Sequence, residues 1–480
     1  MSAPASPSPA DQPRRVLSLV DSTSIIVGII IGSAIYEISP LVASSAGGWA
    51  EHLLDSWVSR RGGLPPSAAQ LDFAATAAII GVWVVGGIVA LLGAMCYAEL
   101  GTAYPQAGGT YVYLSEALGR SVGFAFAWAE FWIVRPGNIG AVAFVMARYG
   151  GQLLPASAHR IAHLDLYLAA GAILGLAALN AAGLRAGTWT QNLLTACKIV
   201  GLVAIILTAL TLVPPPADAT LPPSAGGNLP LALILIMFAY GGWADMSFVA
   251  AEVRDPARNI FRALLLGTAA VVLIYVTINL AFLHALGLGG LARSQAVAAE
   301  VLSRRFGGWG SRAISLLVVV SCLGGINGML FTGARVYYAL GTHHPTFRWL
   351  GDWNATSGVP LRSLAVQTLV TLGLVIGFGL YPGGFGKLVV FTGPFYWGFI
   401  ALVGVALVVL RLRGDSPPGA AYRVPLFPVT PLLFALTSGA MVYSAIVYAV
   451  QNPAYEALWA VVVIAVGIVF GIIDWLSRRR

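Results

Sequence analysis

Apolar runs of about twenty residues recur along this chain from near residue 20 to near residue 475, and they constrain its fold more than any other feature. Twenty residues is roughly what an α-helix needs to cross a hydrocarbon core about 30 Å thick. The runs do not alternate polar with apolar residues, so helices that satisfy their own backbone groups are expected rather than barrel strands. The pattern predicts spans near 20–44, 75–98, 120–149, 163–183, 188–213, 228–252, 263–286, 312–340, 362–380, 387–410, 429–450 and 453–475. The chain is 58% hydrophobic and only 10% charged, whereas a soluble domain is about a quarter charged. The expected fold class is therefore an all-α integral membrane protein with about twelve transmembrane helices.

The net charge of +8 needs no nucleic acid to explain it. Lys and Arg concentrate in the segments that lie inside if the N-terminus is cytoplasmic, among them Arg254, Arg258, Arg262 and Arg478 to Arg480. The positive-inside rule then places both termini in the cytoplasm, with the chain multi-pass in a plasma or inner membrane. Residues 1–18, rich in Pro and Ser, are expected to form a disordered cytoplasmic tail. Cys96, Cys197 and Cys322 all fall inside spans and are expected to pack there. No metal set and no cofactor are expected.

Two spans carry interruptions. In "IIVGIIIGSAIYEISP" Gly28, Gly32, Ser33 and Ala34 break the first, and in "LILIMFAYGGWADMSF" Gly241 and Gly242 break the sixth, just before Trp243 and Asp245. A break inside lipid survives only where protein or a watery cavity takes over the freed hydrogen bonds, and paired breaks point to the substrate site of a secondary transporter. A restarting helix offers free N–H groups to an anion, and a terminating one offers carbonyls to a cation. On that reading Gly32, Ser33 and Ala34 face a carboxylate, and the carbonyls of Ile30, Phe238 and Tyr240 are candidates for an ammonium. The competing reading is that glycines only let membrane helices pack closely.

Several stretches, "FAYGGWADMSFVAAEVRDPARNIFRALLLG" above all, with "VGIIIGSAIYEISP", "CYAELGTAYPQAGGTYVYLSEALG", "RPGNIGAVAFVMARY", "SQAVAAEVL" and "SCLGGINGMLFTGARVYYALG", resemble the L-type amino-acid transporter family of the amino acid-polyamine-organocation superfamily. The resemblance implies a LeuT-like fold: ten helices in two inverted five-helix repeats, about 20–213 and 228–410, within a core of 19–425, plus two helices in 426–480. It implies alternating access, with Ile30, Gly32, Ser33 and Ala34 holding the substrate backbone and Phe238 as an aromatic lid. Ala34 stands where the family usually has Gly. The segment after the third span lacks the cysteine that tethers a glycoprotein heavy chain to animal members, so a stand-alone, bacterial-type protein is expected.

Charges within the spans are functional candidates because they are costly in lipid. Lys198 resembles the lysine that superfamily members place where sodium-driven relatives hold a sodium ion; its ammonium is expected on the carbonyls near Gly28 and Ile29, and it is the candidate for coupling. A snorkelling Lys198 is the alternative. Arg135 either pairs with Glu130 or faces the pathway. Glu37 either attracts cations to an outer vestibule or meets solvent. Asp245 either meets a substrate group or partners loosened backbone, and Tyr240, Gly241 and Trp243 complete the sixth-span site. Glu252, Arg254, Asp255 and Arg258 are expected to form a gating salt-bridge network. Asn327 and Ser321 either line the pathway or bond between helices. The function expected is secondary active transport of neutral amino acids, as an exchanger or a proton-coupled symporter. A cationic amino-acid or polyamine transporter, in which Asp245 and Glu37 face the cavity, and a non-transporting sensor are the alternatives. No enzyme signature, such as a Walker A sequence, is present.

Overall fold

The computed structural model describes residues 13–155, 157–215, 227–380, 384–414, 422–451 and 455–477. Among the described residues the secondary structure is helical throughout, with isolated bridges only at Leu17–Val253 and Asn354–Val359. The first span comprises α1 (Leu19–Ile30), α2 (Ala34–Glu37) and α3 (Ser39–Val42). A π-turn, Ala43–Gly47, joins α3 to α4 (Gly48–Arg60), and α5 (Ala68–Ala103) and α6 (Thr110–Leu118) follow. The third span is α7 (Arg120–Ala129), a π-turn (Glu130–Val134) and α8 (Arg135–Leu153). Next come α9 (Leu164–Ala181), α10 (Leu184–Leu210), α11 (Leu229–Tyr240) and a 3-10 helix, Trp243–Glu252. The remainder is α12 (Pro256–Arg293), α13 (Val297–Phe306), α14 (Gly308–His343), α15 (Leu361–Gly379), α16 (Gly384–Arg413), α17 (Val429–Gln451) and α18 (Tyr455–Ser477).

Ten helical stretches among the described residues are long and apolar enough to cross a membrane. The expected third and twelfth spans correspond to α7–α8 and to α18, whose apolar run is Val462–Ile473. The protein is thus a multi-pass, all-α membrane protein. Helix α12 lies along α5, α16 along α17 and α14 along α8. Small residues permit the first of these approaches: a Cβ at Gly87 would sit 2.6 Å from Val272.

Two expectations need correction. The tail is not disordered through residue 18: Leu17 is buried, the amides of Val16 and Leu17 both donate to the Glu252 carbonyl at 2.8 Å, and Ser18 caps α1 in a capping box with Asp21. Residues 1–12 lie outside the described residues. The expected bounds of the first two spans, 20–44 and 75–98, are too short: α5 begins at Ala68, and the first span continues as a helix to Arg60. Trp49, Leu53 and Trp57 recur there at a helical spacing.

Candidate functional site

Both sequence-predicted breaks are present and lie against each other. Helix α1 ends at Ile30, Ile31 leaves helical geometry at φ −75° and ψ 84°, and α2 restarts at Ala34. Helix α11 ends at Tyr240, and Gly242 adopts a φ of +115°, a conformation open to glycine at little cost. A Cβ at Gly242 would lie 2.8 Å from Ile29 and 3.4 Å from the Ile30 nitrogen, so the absence of a side chain lets the two breaks meet. At Gly32, by contrast, an added Cβ would meet nothing within 4 Å. The amides of Ser33 and Ala34 begin a helix and have no carbonyl of a preceding turn to bond.

The Ile30 carbonyl accepts from Gly32 N at 2.8 Å and from the Tyr275 hydroxyl at 3.0 Å. These contacts occupy both lone pairs, so in this conformation neither the Ile30 carbonyl nor the Gly32 amide is free for a ligand. Phe238 is half exposed at the end of α11, and its carbonyl accepts from Gly241 N. Tyr240 turns its hydroxyl to the Trp83 carbonyl at 3.1 Å. Trp243 packs edge-on against Tyr97 and Phe434, away from the breaks, and anchors the 3-10 helix.

Helix α10 runs beside α1 and hydrogen-bonds to it from one face. Thr195 Oγ1 and Gln191 Nε2 donate to the Ser24 carbonyl at 3.0 and 3.4 Å, and Asn192 donates to Asp21 at 2.7 Å. Lys198, fully buried, donates to the carbonyls of Gly28 at 2.7 Å, Ile31 at 2.8 Å and Ser321 at 3.0 Å. It therefore does not snorkel. Gly28 was anticipated, but the other two acceptors are Ile31 and Ser321 rather than Ile29, because Ile31 is where helical geometry is lost and a carbonyl is freed. The spacing of Gln191, Thr195 and Lys198 is the helical signal that could have exposed this face in the sequence.

Helix α14 lines the other side with a stripe of matching period. The Ser321 hydroxyl donates to the Ile31 carbonyl at 3.0 Å, and Gly324 leaves room for the Lys198 ammonium. Gly328 admits Ile29, and Thr332 donates to Asp245 at 2.8 Å. Arg335 pairs bidentately with Glu252 at 2.7 and 3.0 Å. Asn327 takes the interhelical reading: it donates to Gln191 at 2.9 Å and accepts from Asn180 at 2.8 Å.

Among the remaining candidate charges, Arg135, Asp245, Glu37 and Glu252 pair with side chains of the protein, whereas the expected network of Glu252 with Arg254, Asp255 and Arg258 is not formed among the described residues. Arg135 bonds both Glu130 and Asp245, so Asp245 meets a guanidinium rather than loosened backbone. The π-turn explains the first pair, since widening the helix brings positions five apart toward one face. Glu37 meets Arg148 of α8 rather than only solvent. Glu252 does close one end of the assembly, but its partner Arg335 lies outside the local motif that suggested a gate. A separate cavity of about 770 Å³ between α7, α16 and α18 is lined mostly by apolar residues such as Phe124, Trp128 and Ile468, and none of its lining residues belongs to either break.

The chain matches the family model described as "Amino acid permease" over residues 17–470. It is 27% identical over 466 residues to "b(0,+)-type amino acid transporter 1" of Homo sapiens, covering 95% of this chain and 87% of that protein. It is 29% identical over 433 residues to "Large neutral amino acids transporter small subunit 2" of Mus musculus, covering 88% and 75% respectively. With two helix breaks set against each other inside a bundle of membrane-crossing helices, the chain belongs to the amino acid permease family of membrane transporters.

Proposed function

We propose that the protein carries neutral amino acids across the membrane by alternating access, binding the substrate backbone at the broken ends of α1 and α11. The observation that carries this reading is the juxtaposition of Gly242 with Ile29 and Ile30, beside the open space at Gly32. Helix-start amides at Ser33 and Ala34 suit a carboxylate, and the carbonyl end of α11 suits an ammonium. A zwitterion satisfies both. Neutral side chains are favoured because Asp245 and Glu37, the carboxylates that a cationic substrate needs, are already paired with Arg135 and Arg148. The mouse relative, named as a transporter of large neutral amino acids, points the same way.

Lys198 serves as a fixed cation in place of a transported one. An ammonium has three hydrogens and three carbonyls receive them, whereas a neutral amine has only two to give and surrenders one of these bonds, the Ile31 carbonyl keeping the Ser321 hydroxyl. A permanent charge suits an exchanger. In this reading 20–213 and 228–410 form the two repeats, the end closed by Glu252 and Arg335 faces the cytoplasm, and the chain works without a heavy chain. Uptake of labelled amino acids into proteoliposomes tests it. Vesicles preloaded with neutral amino acids are expected to take up neutral label; preference for cationic label, or uptake that ignores preloading, overturns the reading.

A further inference from the structure

The cluster of Glu130, Arg135 and Asp245 has no part in substrate binding as proposed, and its charges do not balance. Arg135 Nε donates to Glu130 Oε1 at 2.7 Å, Nη2 lies 2.6 Å from the same oxygen, and Nη1 donates to Asp245 Oδ1. The three residues are 3%, 4% and 5% exposed. Two carboxylates about one guanidinium leave one negative charge in excess, in surroundings where an uncompensated charge is expensive.

Among the described side chains, the packed neighbours supply no second cation. From α14, Thr332 contributes a hydroxyl, while Arg335 is already committed to Glu252. The Tyr337 hydroxyl, also from α14, donates to the Phe131 carbonyl. From α5, Tyr97 shares a hydrogen bond with Thr110, and from α16 the Tyr396 hydroxyl accepts from Gly242 N. Gln367 of α15 turns its amide nitrogen to the Met329 carbonyl. The positive end of the 3-10 helix, whose first turn holds Asp245, offsets only part of a charge.

We propose that Glu130 and Asp245 together hold one exchangeable proton, which makes this cluster a proton-binding site distinct from Lys198. The proton belongs to the pair, because the two carboxylates flank one cation. Thr332 fits both states. Its oxygen lies 2.8 Å from Asp245 Oδ1 and 2.9 Å from the Gly328 carbonyl, so its single hydrogen points to Asp245 when the carboxylate is ionised. When Asp245 is protonated, Thr332 accepts that proton and gives its own hydrogen to Gly328, and no heavy atom has to move. Asp245 rides on the 3-10 helix, whereas Glu130 and Arg135 belong to the third span. Motion of one against the other changes the pair's hold on its proton, so protonation and gating are linked. That last step rests on the transport reading; the bound proton does not.

Infrared difference spectroscopy of the full-length solubilised protein, between acid and alkaline pH, tests the site without transport. The wild type is expected to show a carboxylic-acid C=O band that is lost in both Glu130→Gln and Asp245→Asn, because one carboxylate left with Arg135 stays ionised. Absence of the band in the wild type, or its persistence in both variants, overturns the proposal. In preloaded proteoliposomes, wild-type exchange is expected to rise as pH falls, and Glu130→Gln to flatten that profile. Wild-type exchange that ignores pH overturns the link between protonation and gating. A wild type that shows the band but carries no amino acid leaves the proton site standing and removes the transport reading instead.

Discussion

Lys198 and Gly324 are matched in size. A Cβ at Gly324 would stand 2.9 Å from the Lys198 ammonium nitrogen and 3.1 Å from the carbon before it. Gly324→Ala is therefore expected to push the ammonium off its carbonyls, and a buried carbonyl left without a donor, as at Gly28, costs about 1–3 kcal/mol. Uptake should fall severalfold while the protein still inserts, as judged by its yield in membranes; wild-type uptake would show that the lysine has slack. Gly32→Val is the contrasting case, because nothing lies within 4 Å of the added Cβ. The variant is expected to keep its thermal midpoint and lose uptake, since the valine occupies space that the substrate requires. An equal loss of midpoint and uptake would make Gly32 a folding residue. Both breaks were legible from residue type, and the place of Lys198 came from the family resemblance with snorkelling as the alternative, but the freedom of the Ile30 carbonyl was not legible. Its second partner, Tyr275, lies 245 positions away, and no local pattern announces it.

The 3-10 helix and α14 meet along a line that ends at Glu252 and Arg335, and the chain before α1 fastens to the same point through Val16 and Leu17. Removing one partner of a buried ion pair costs about 3–5 kcal/mol. Arg335→Met is thus expected to loosen that end and, with it, the segment beside Arg14 and Arg15. Limited trypsin digestion should cut there faster than in the wild type; an unchanged rate would mean that the backbone bonds hold the segment alone. The elements themselves were largely readable, since twelve apolar runs of the right length leave few choices. The π-turn at Glu130–Val134 was not, because no residue type demands it and it exists only in the fit of the third span against its neighbours. Helix α4 was readable from the helical spacing of Trp49, Leu53 and Trp57, although the apolar run itself ends near residue 44.

At the scale of the molecule, a ligand that bridges α1 and α11 ties together elements from distant parts of the chain and binds only when they are assembled. A neutral amino acid at about a hundredfold excess over its Kd is expected to stabilise the folded protein by about 2.7 kcal/mol. Thermal unfolding in detergent reads this as an upward shift of the midpoint, and cationic amino acids should give none. A larger shift with cationic ligands would reassign Asp245 or Glu37 to the substrate. Membrane-span order could be read along the chain, whereas the pairing of α10 with α1 and of α14 with both breaks depends on contacts far apart in sequence. The cation beside the broken first span is covalently attached, and that alters the economy of the transport cycle. A dissolved ion has to be captured anew on every turnover and loses its translational freedom each time, so occupancy follows its concentration outside. A side-chain ammonium arrives with the fold, and its effective concentration at the three carbonyls is the same in fresh water as in brine.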